Sequence, residues 1–123
     1  MGETAGTRAD GDQMREVTDV AHLVQVQEDS TVSRTVLKAE GVRVVLFSFD
    51  AGQVLTEHTA AMPVLLQTLD GHLRITADGR TVDLRPGDLV HLTTRLPHSV
   101  EAVVASRLML TMIDARQAGT PSG

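Results

Sequence analysis

The chain has no cysteine, tryptophan or tyrosine, and its 123 residues include only two phenylalanines and one lysine. Without cysteine it cannot form a disulfide, a thiolate metal site or a cysteine nucleophile, so thiol chemistry says nothing about its compartment. With so few rings it also lacks the stacking platforms that bind single-stranded nucleic acid. The core must therefore be built from valine, leucine, isoleucine and methionine.

A strong positive charge is also missing, because the net charge is -5 and the pI is near 5.4. The arginines are scattered and form no basic stripe, so we expect no nucleic-acid partner. No apolar run approaches the roughly 20 residues that span a bilayer, so we expect no membrane partner. The polar start of the chain lacks the apolar stretch of a secretory signal, and a cytoplasmic location is the default expectation.

The two ends of the chain differ in composition from its middle. Residues 1–15 are rich in glycine, threonine and charged residues, residues 117–123 are small or polar and uncharged, and neither segment shows apolar periodicity. We predict that both are disordered tails. The remaining residues, 16–116, have ordinary globular composition and the length of one domain.

The middle of the chain reads as short β-prone segments separated by turn residues. Between residues 73 and 77 apolar and polar side chains alternate, as in a half-buried strand. Asp78-Gly79 follows, and this pair favours the type I′ turn of a hairpin because both of its residues accept a positive φ. Only residues 16–27 could form a short helix. Nine strands are predicted, at residues 32–39, 42–49, 54–58, 64–69, 72–77, 81–84, 88–92, 99–104 and 106–113. This pattern predicts an all-β, antiparallel sandwich or barrel.

Residues 52–71 resemble the first sequence motif of the cupin family. That motif is Gly, five residues, His-X-His, three or four residues, Glu, six residues, Gly. In this chain Gly52, His58 and Gly71 occupy the matching positions with the full spacing. Ala60 stands in place of the second histidine and Val64 in place of the glutamate.

Residues 87–102 resemble the second cupin motif, which is Gly, five residues, Pro-X-Gly, two residues, His, three residues, Asn. Gly87 and His98 match, whereas Thr93, Arg95 and Ala102 replace the proline, the second glycine and the asparagine. Because both motifs occur in order on a β-only background, the resemblance implies a double-stranded β-helix, or jelly-roll barrel, with RmlC-like topology. The chain also resembles a subgroup of small cupins that lack the second histidine of the first motif.

The resemblance further implies a metal centre of three histidines and one glutamate around Fe, Mn, Ni or Zn. This chain keeps His58 and His98 of those ligands, and two imidazoles alone hold a divalent ion weakly. Gln67 and His91 are the candidates to complete the set. Strand alternation places Gln67 on the opposite face from Val64 unless a bulge intervenes. The alternatives are that Gln67 bonds neighbouring backbone and that His91 lies on an outer or dimer face.

The sequence leaves two classes of function open and assigns no catalytic residue. The first is a metal-dependent enzyme acting on a small organic molecule. The resemblance implies this class because cupins of this size include dioxygenases, isomerases and cyclases. The second is a non-catalytic small-molecule-binding, sensor or accessory cupin that has lost its metal. A third alternative is a sugar-modifying, epimerase-like cupin without a metal, but such an enzyme needs a His–Asp base pair and a tyrosine acid, and this chain has no tyrosine. Arg43, Arg74 and Arg95 could bind a carboxylate or phosphate, or form surface ion pairs.

The resemblance also implies a homodimer, because single-domain cupins commonly pair through strand edges and barrel faces. Residues 106–113 and 42–49 are the apolar segments that we expect at such an edge. Light scattering tests this expectation, and a strictly monomeric mass at high protein concentration would contradict it.

Overall fold

The computed structural model describes residues 13–114, which form nine β-strands and one short 3-10 helix at Val20–His22. The predicted tails lie almost wholly outside the described residues, so the domain bounds stay a prediction. The strands are β1 Thr31–Ala39, β2 Val42–Phe49, β3 Val54–His58, β4 Val64–Asp70, β5 Leu73–Ala77, β6 Arg80–Leu84, β7 Leu89–Leu92, β8 His98–Ala102 and β9 Ser106–Ile113.

Each predicted strand is present, with bounds that agree to within a few residues. The hairpin between β5 and β6 has the predicted two-residue turn, because Ala77 and Arg80 are paired across it. Its central residues, Asp78 and Gly79, have φ values of 54° and 72°. Both are positive, as a type I′ turn requires.

The strands form two antiparallel sheets that enclose one apolar core. The first sheet has the order β1-β2-β9-β4-β7 and the second has the order β3-β8-β5-β6. Aliphatic side chains and Phe49 fill the space between the two sheets. The predicted all-β, antiparallel fold with a core poor in aromatic rings is therefore confirmed.

The sheet order corrects the strands that we expected at a dimer edge. β9 lies between β2 and β4, and β2 lies between β1 and β9, so both strands are hydrogen-bonded on both sides. An interior strand has no free backbone groups to offer a second chain. The edges of the sheets are β1, β7, β3 and β6. The homodimer itself stays a prediction.

The segment that precedes β1 is not the helix considered from the sequence, apart from the single turn at Val20–His22. Its carbonyl groups are bound by side chains of the first sheet instead. Arg34 donates to the carbonyl of Leu23, Arg107 to that of Val24, and Ser48 to that of Gln25. These bonds fasten the segment over the outer face of the sheet. Within residues 13–114 no helix is long and apolar enough to cross a membrane.

Candidate functional site

The two histidines kept from the cupin motifs meet in space. His58 ends β3 and His98 begins β8, and the two are paired residues in the second sheet. Their ring centroids are 4.2 Å apart, with an angle of 59° between the ring planes. His98 is 3% exposed. Two histidines that are 40 positions apart in the chain therefore lie side by side, as the motif resemblance implied.

A β-bulge turns His58 toward the interior. Leu55 pairs with Val100 and His58 pairs with His98, so β3 has one more residue than β8 between these two pairs. Leu55 and Val100 contact the apolar core. Strict alternation would place His58, three residues after Leu55, on the outer face. The extra residue reverses that phase, as bulges commonly do beside functional sites.

Backbone carbonyl groups fix the orientation of both rings. His58 Nδ1 lies 2.8 Å from the carbonyl oxygen of Thr56, and His98 Nδ1 lies 2.9 Å from that of Leu96. A carbonyl oxygen only accepts, so each Nδ1 carries the proton and donates it. In the neutral ring the lone pair is then on Nε2. Histidines that bind metals or accept protons are commonly held in this way.

The rings open onto a cavity of about 640 Å³ between the two sheets. Val64 and His98 are buried in its wall, whereas Lys38, Arg43 and Thr59 are exposed and mark its mouth. Among the described residues, the polar ones that line it are Lys38, Arg43, His58, Thr59, His98 and Asp114. The apolar lining consists of Ala39, Val42, Val45, Phe47, Ala60, Ala61, Met62, Val64, Leu110 and Met112. The site is thus a mainly apolar pocket with one imidazole pair in its wall.

Gln67 and His91, the candidates to complete the ligand set, are not brought to this pair, and His91 lies on an outer face as the alternative for it predicted. In β4, Val64 and Leu66 are buried and Gln67 is on the alternate face with Leu65. Leu65 pairs with His91, and paired residues share a face, so His91 is also on the outer side of the first sheet. His91 is exposed. No bulge interrupts β4 between Val64 and Gln67, so simple alternation decides their direction.

The side chains around the imidazole pair do not fit the four-ligand cupin metal centre. Ala60 and Val64 line the same cavity at the positions of the missing histidine and glutamate, and neither can bind a metal. Among residues 13–114 no group of three or more His, Cys, Asp or Glu side chains is placed to hold an ion. Stable sites usually offer three or more protein ligands. Any ion here would rest on two imidazoles alone.

Comparison with known protein families agrees with the motifs and the sheets. A family model described as the cupin domain matches residues 45–114, more than half of the chain. The chain is a cupin. The match begins in β2 and includes every strand that contributes to the imidazole pair.

Solved structures show the same cupin fold. A conserved protein of unknown function from Streptococcus pyogenes is 24% identical with a TM-score of 0.72, and the match covers 91% of this chain and 93% of that one. A cupin superfamily protein from Desulfitobacterium hafniense is 22% identical with a TM-score of 0.72, covering 83% and 93%. A search of curated proteins finds no significant match.

Structures of an enzyme with a named activity are also among the neighbours. One of them is a variant of salicylate 1,2-dioxygenase from Pseudoaminobacter salicylatoxidans, 15% identical with a TM-score of 0.65. The match covers 72% of this chain and 27% of that protein. At this identity the likeness shows a shared fold. The neighbours of this cupin thus include a dioxygenase and proteins without an assigned activity.

Sequence reasoning missed Lys38 and Asp114 as lining residues of the cavity, and it could not choose Arg43 from the other arginines. Lys38 and Arg43 are paired across the hairpin of β1 and β2. Their proximity could have been read from the Glu40-Gly41 turn, since a two-residue loop fixes the register of the strands that it joins. The direction of the Lys38 side chain depends on a β-bulge that could not be predicted from the sequence.

A second cluster of titratable groups lies away from the cavity, on the outer face of the second sheet. His72 Nε2 and Arg74 Nε both contact Asp83 Oδ1, at 2.8 and 3.2 Å. The hydrogen bond from His72, followed by that from Arg74, lowers the pKa of Asp83 below its usual 3.8. Because the folded pKa is the lower one, Asp83 stabilises the fold above pH 3.8, and this contribution is lost as the pH falls through the folded pKa.

We therefore expect Asp83→Asn to lower the melting temperature modestly near neutral pH, with the difference from wild type shrinking in acid. Asp78→Asn is the matched control, because it removes an exposed carboxylate at a turn position that asparagine also favours. Thermal unfolding across a pH series measures both variants. Equal pH dependence in the two variants would contradict the role assigned to the contacts of Asp83.

Proposed function

We propose that this cupin binds a small, mainly apolar organic molecule in the cavity between its sheets, with a polar group of the ligand on the imidazole pair. The observation that carries the proposal is the pair itself. Both Nδ1 atoms are occupied by backbone carbonyls, so both Nε2 atoms remain available to a ligand in the cavity wall.

The size and lining of the cavity support a small-molecule ligand. Its volume of about 640 Å³ lies within the range of roughly 300–1,000 Å³ that is usual for such sites. Phe47, Leu110 and Met112 offer apolar contacts, whereas each imidazole in its neutral form offers a hydrogen-bond acceptor at Nε2. A hydroxyl or N–H group on an otherwise apolar molecule satisfies both kinds of surface. A binding or sensor role needs nothing more than this arrangement.

A second candidate function is a metal-dependent enzyme that acts on a small organic molecule. The two free Nε2 atoms favour it, because metal-binding histidines are oriented by the same type of Nδ1 hydrogen bond. One structural neighbour is by name a salicylate 1,2-dioxygenase, which supports keeping an enzymatic candidate. The chain supplies two ligands where stable centres use three or more. Transition-metal content of protein purified without a histidine tag decides between the two candidates.

The binding proposal is tested with 1-naphthol, a fluorescent ligand that joins an apolar body to one hydroxyl group. The chain has no tryptophan or tyrosine, so the ligand's emission is measured without protein background. We expect saturable binding to the wild type. The double variant His58→Ala/His98→Ala should bind at least about tenfold more weakly, because it loses the acceptors for the hydroxyl.

The matched control is His22→Ala/His91→Ala, which removes two exposed imidazoles that do not line the cavity. Its affinity for 1-naphthol should equal that of the wild type. Because His98 is buried, thermal unfolding must first show that the test variant is folded, and the partly exposed His58→Ala alone provides a milder variant. Unchanged affinity in folded His58→Ala/His98→Ala would refute a role for the pair, and no saturable binding to wild type would refute the proposal.

A further inference from the structure

Two cationic side chains face each other at the mouth of the cavity. Lys38 of β1 and Arg43 of β2 are paired residues, and both line the cavity. Arg43 pairs in turn with Met112, and Met112 pairs with Val64. This row of side chains therefore runs from the charged mouth to the buried wall. The imidazole pair belongs to the other sheet and faces the row across the same space.

A β-bulge in β1 directs Lys38 into the cavity. Thr35 pairs with Val45 and Leu37 pairs with Val44, so Val36 is an extra residue without a partner on β2. Val45 lines the cavity, and its partner Thr35 shares that face. Strict alternation from Thr35 would turn Lys38 to the outer face of the sheet. The bulge reverses the alternation, so Lys38, the only lysine of the chain, lies on the cavity side of the sheet.

Neither cation is neutralised by a protein partner in the part of the chain that the structure describes. Within residues 13–114 the side chains of Lys38 and Arg43 make no ion pair and no hydrogen bond, unlike Arg107, which pairs with Asp70. Among residues 13–114, Asp114 is the one carboxylate in the lining of the cavity, and it has an interaction partner of its own. Two cations without an ion-pair partner among the described residues thus lie at the mouth of one cavity, in a chain whose net charge is -5.

We propose that the ligand of this cavity is a monoanion, a carboxylate on an apolar body, and that Lys38 and Arg43 bind the carboxylate at the mouth. The inference rests on the proposed function and names the class of its ligand. A singly charged carboxylate suits this cavity better than a phosphate dianion, because most of the lining is apolar and the removal of a second charge from water would be costly. Arg43 can hold both carboxylate oxygens, and Lys38 adds a second charge-assisted contact. The apolar body then lies against Phe47 and Leu110.

The test compares 1-naphthoate with 1-naphthamide, which has the same apolar body and no charge. We expect the wild type to bind the carboxylate at least about tenfold more tightly, because hydrogen bonds to charged groups are the stronger ones. Lys38→Gln/Arg43→Gln should remove this preference, so that the variant binds the carboxylate and the amide with similar affinities. Arg80→Gln/Arg85→Gln is the control, because it removes the same charge from exposed positions outside the cavity.

The outcomes separate the two proposals. We call Lys38 and Arg43 together the carboxylate clamp. If both ligands bind equally to the wild type, or if the control variant loses the preference as fully as Lys38→Gln/Arg43→Gln, the clamp is overturned. The proposal that the cavity binds a small molecule is then still supported. If neither ligand nor 1-naphthol binds, the proposed function fails and the clamp fails with it. A preference that is lost only in Lys38→Gln/Arg43→Gln supports the clamp. Added salt should then weaken the binding of the carboxylate and not that of the amide.

Discussion

Replacing Gly71 by alanine is expected to lower the free energy of unfolding by about 2–5 kcal/mol, through two additive costs. Gly71 has a φ of +89°, a conformation that costs a residue with a Cβ atom about 1–2 kcal/mol. A Cβ here would also overlap Ser106 and the carbonyl oxygen of Ala105. Relieving such overpacking usually costs another 1–3 kcal/mol, roughly.

Gly79→Ala is the matched control. Gly79 has a φ of +72°, but a Cβ there would meet nothing within 4 Å. It should therefore show only the conformational cost, about 1–2 kcal/mol. Urea denaturation of both variants gives the comparison. Equal losses in the two variants would contradict the steric role of Ser106.

The result would give a physical reason for the last glycine of the first motif. Ser106 is fully buried, accepts a hydrogen bond from the backbone N–H of His72 and donates to the carbonyl of Val104. The turn after β4 must pass directly over this serine to enter the second sheet. Gly71 thus permits the crossing between the sheets, and it has no contact with the cavity.

The sequence predicted the strands well because local chemistry determines them. Alternation marks the strand at Leu73–Ala77, and Asp78-Gly79 alone specifies its turn, so both could be read directly. The order of the strands in the sheets could not be predicted from the sequence, because it depends on contacts between segments that are distant along the chain. This is why β9, an apolar strand, was expected at an edge and lies in the interior of a sheet.

For the candidate site, the motifs predicted which residues meet, whereas the bulges that turn side chains inward could not be predicted. Spacing within the two motifs predicted that His58 and His98 share a pocket, although alternation along β3 alone would have separated them. Alternation did place Gln67 on the opposite face of β4 from Val64, which indicated that Gln67 is not a ligand. The direction of Lys38 could not be predicted, because a bulge changes the facing of every later residue in its strand without leaving a recognisable residue pattern.

Restoring the two missing ligand types is expected to convert the imidazole pair into a metal centre. Ala60 and Val64 hold the motif positions of the second histidine and the glutamate, and both line the cavity beside His58 and His98. The double variant Ala60→His/Val64→Glu would therefore offer three imidazoles and one carboxylate. Losing a hydrogen-bond partner of a ligand already costs roughly 10–100-fold in metal affinity. Gaining two ligands should raise the affinity for Zn²⁺ by more than about 100-fold.

Metal binding in this variant should also be visible as stability. Val64 is fully buried, so Val64→Glu places a carboxyl group in an apolar wall and should destabilise the metal-free protein. Zn²⁺ that binds only the folded chain should restore the melting temperature. Ala60→His/Leu66→Glu is the control, since Leu66 is equally buried in the same strand but does not line the cavity. That control should be destabilised without rescue by Zn²⁺.

Elemental analysis and titration with Zn²⁺ then compare wild type with Ala60→His/Val64→Glu. Wild-type protein should hold less than one equivalent of transition metal, because two imidazoles bind a divalent ion weakly. Stoichiometric metal in the wild type that disappears in His58→Ala/His98→Ala would instead support the metal-dependent enzyme. Failure of Ala60→His/Val64→Glu to gain affinity would mean that these positions do not point at the imidazoles. In that case Ala60 and Val64 would have to be explained by packing, not by the loss of a metal centre.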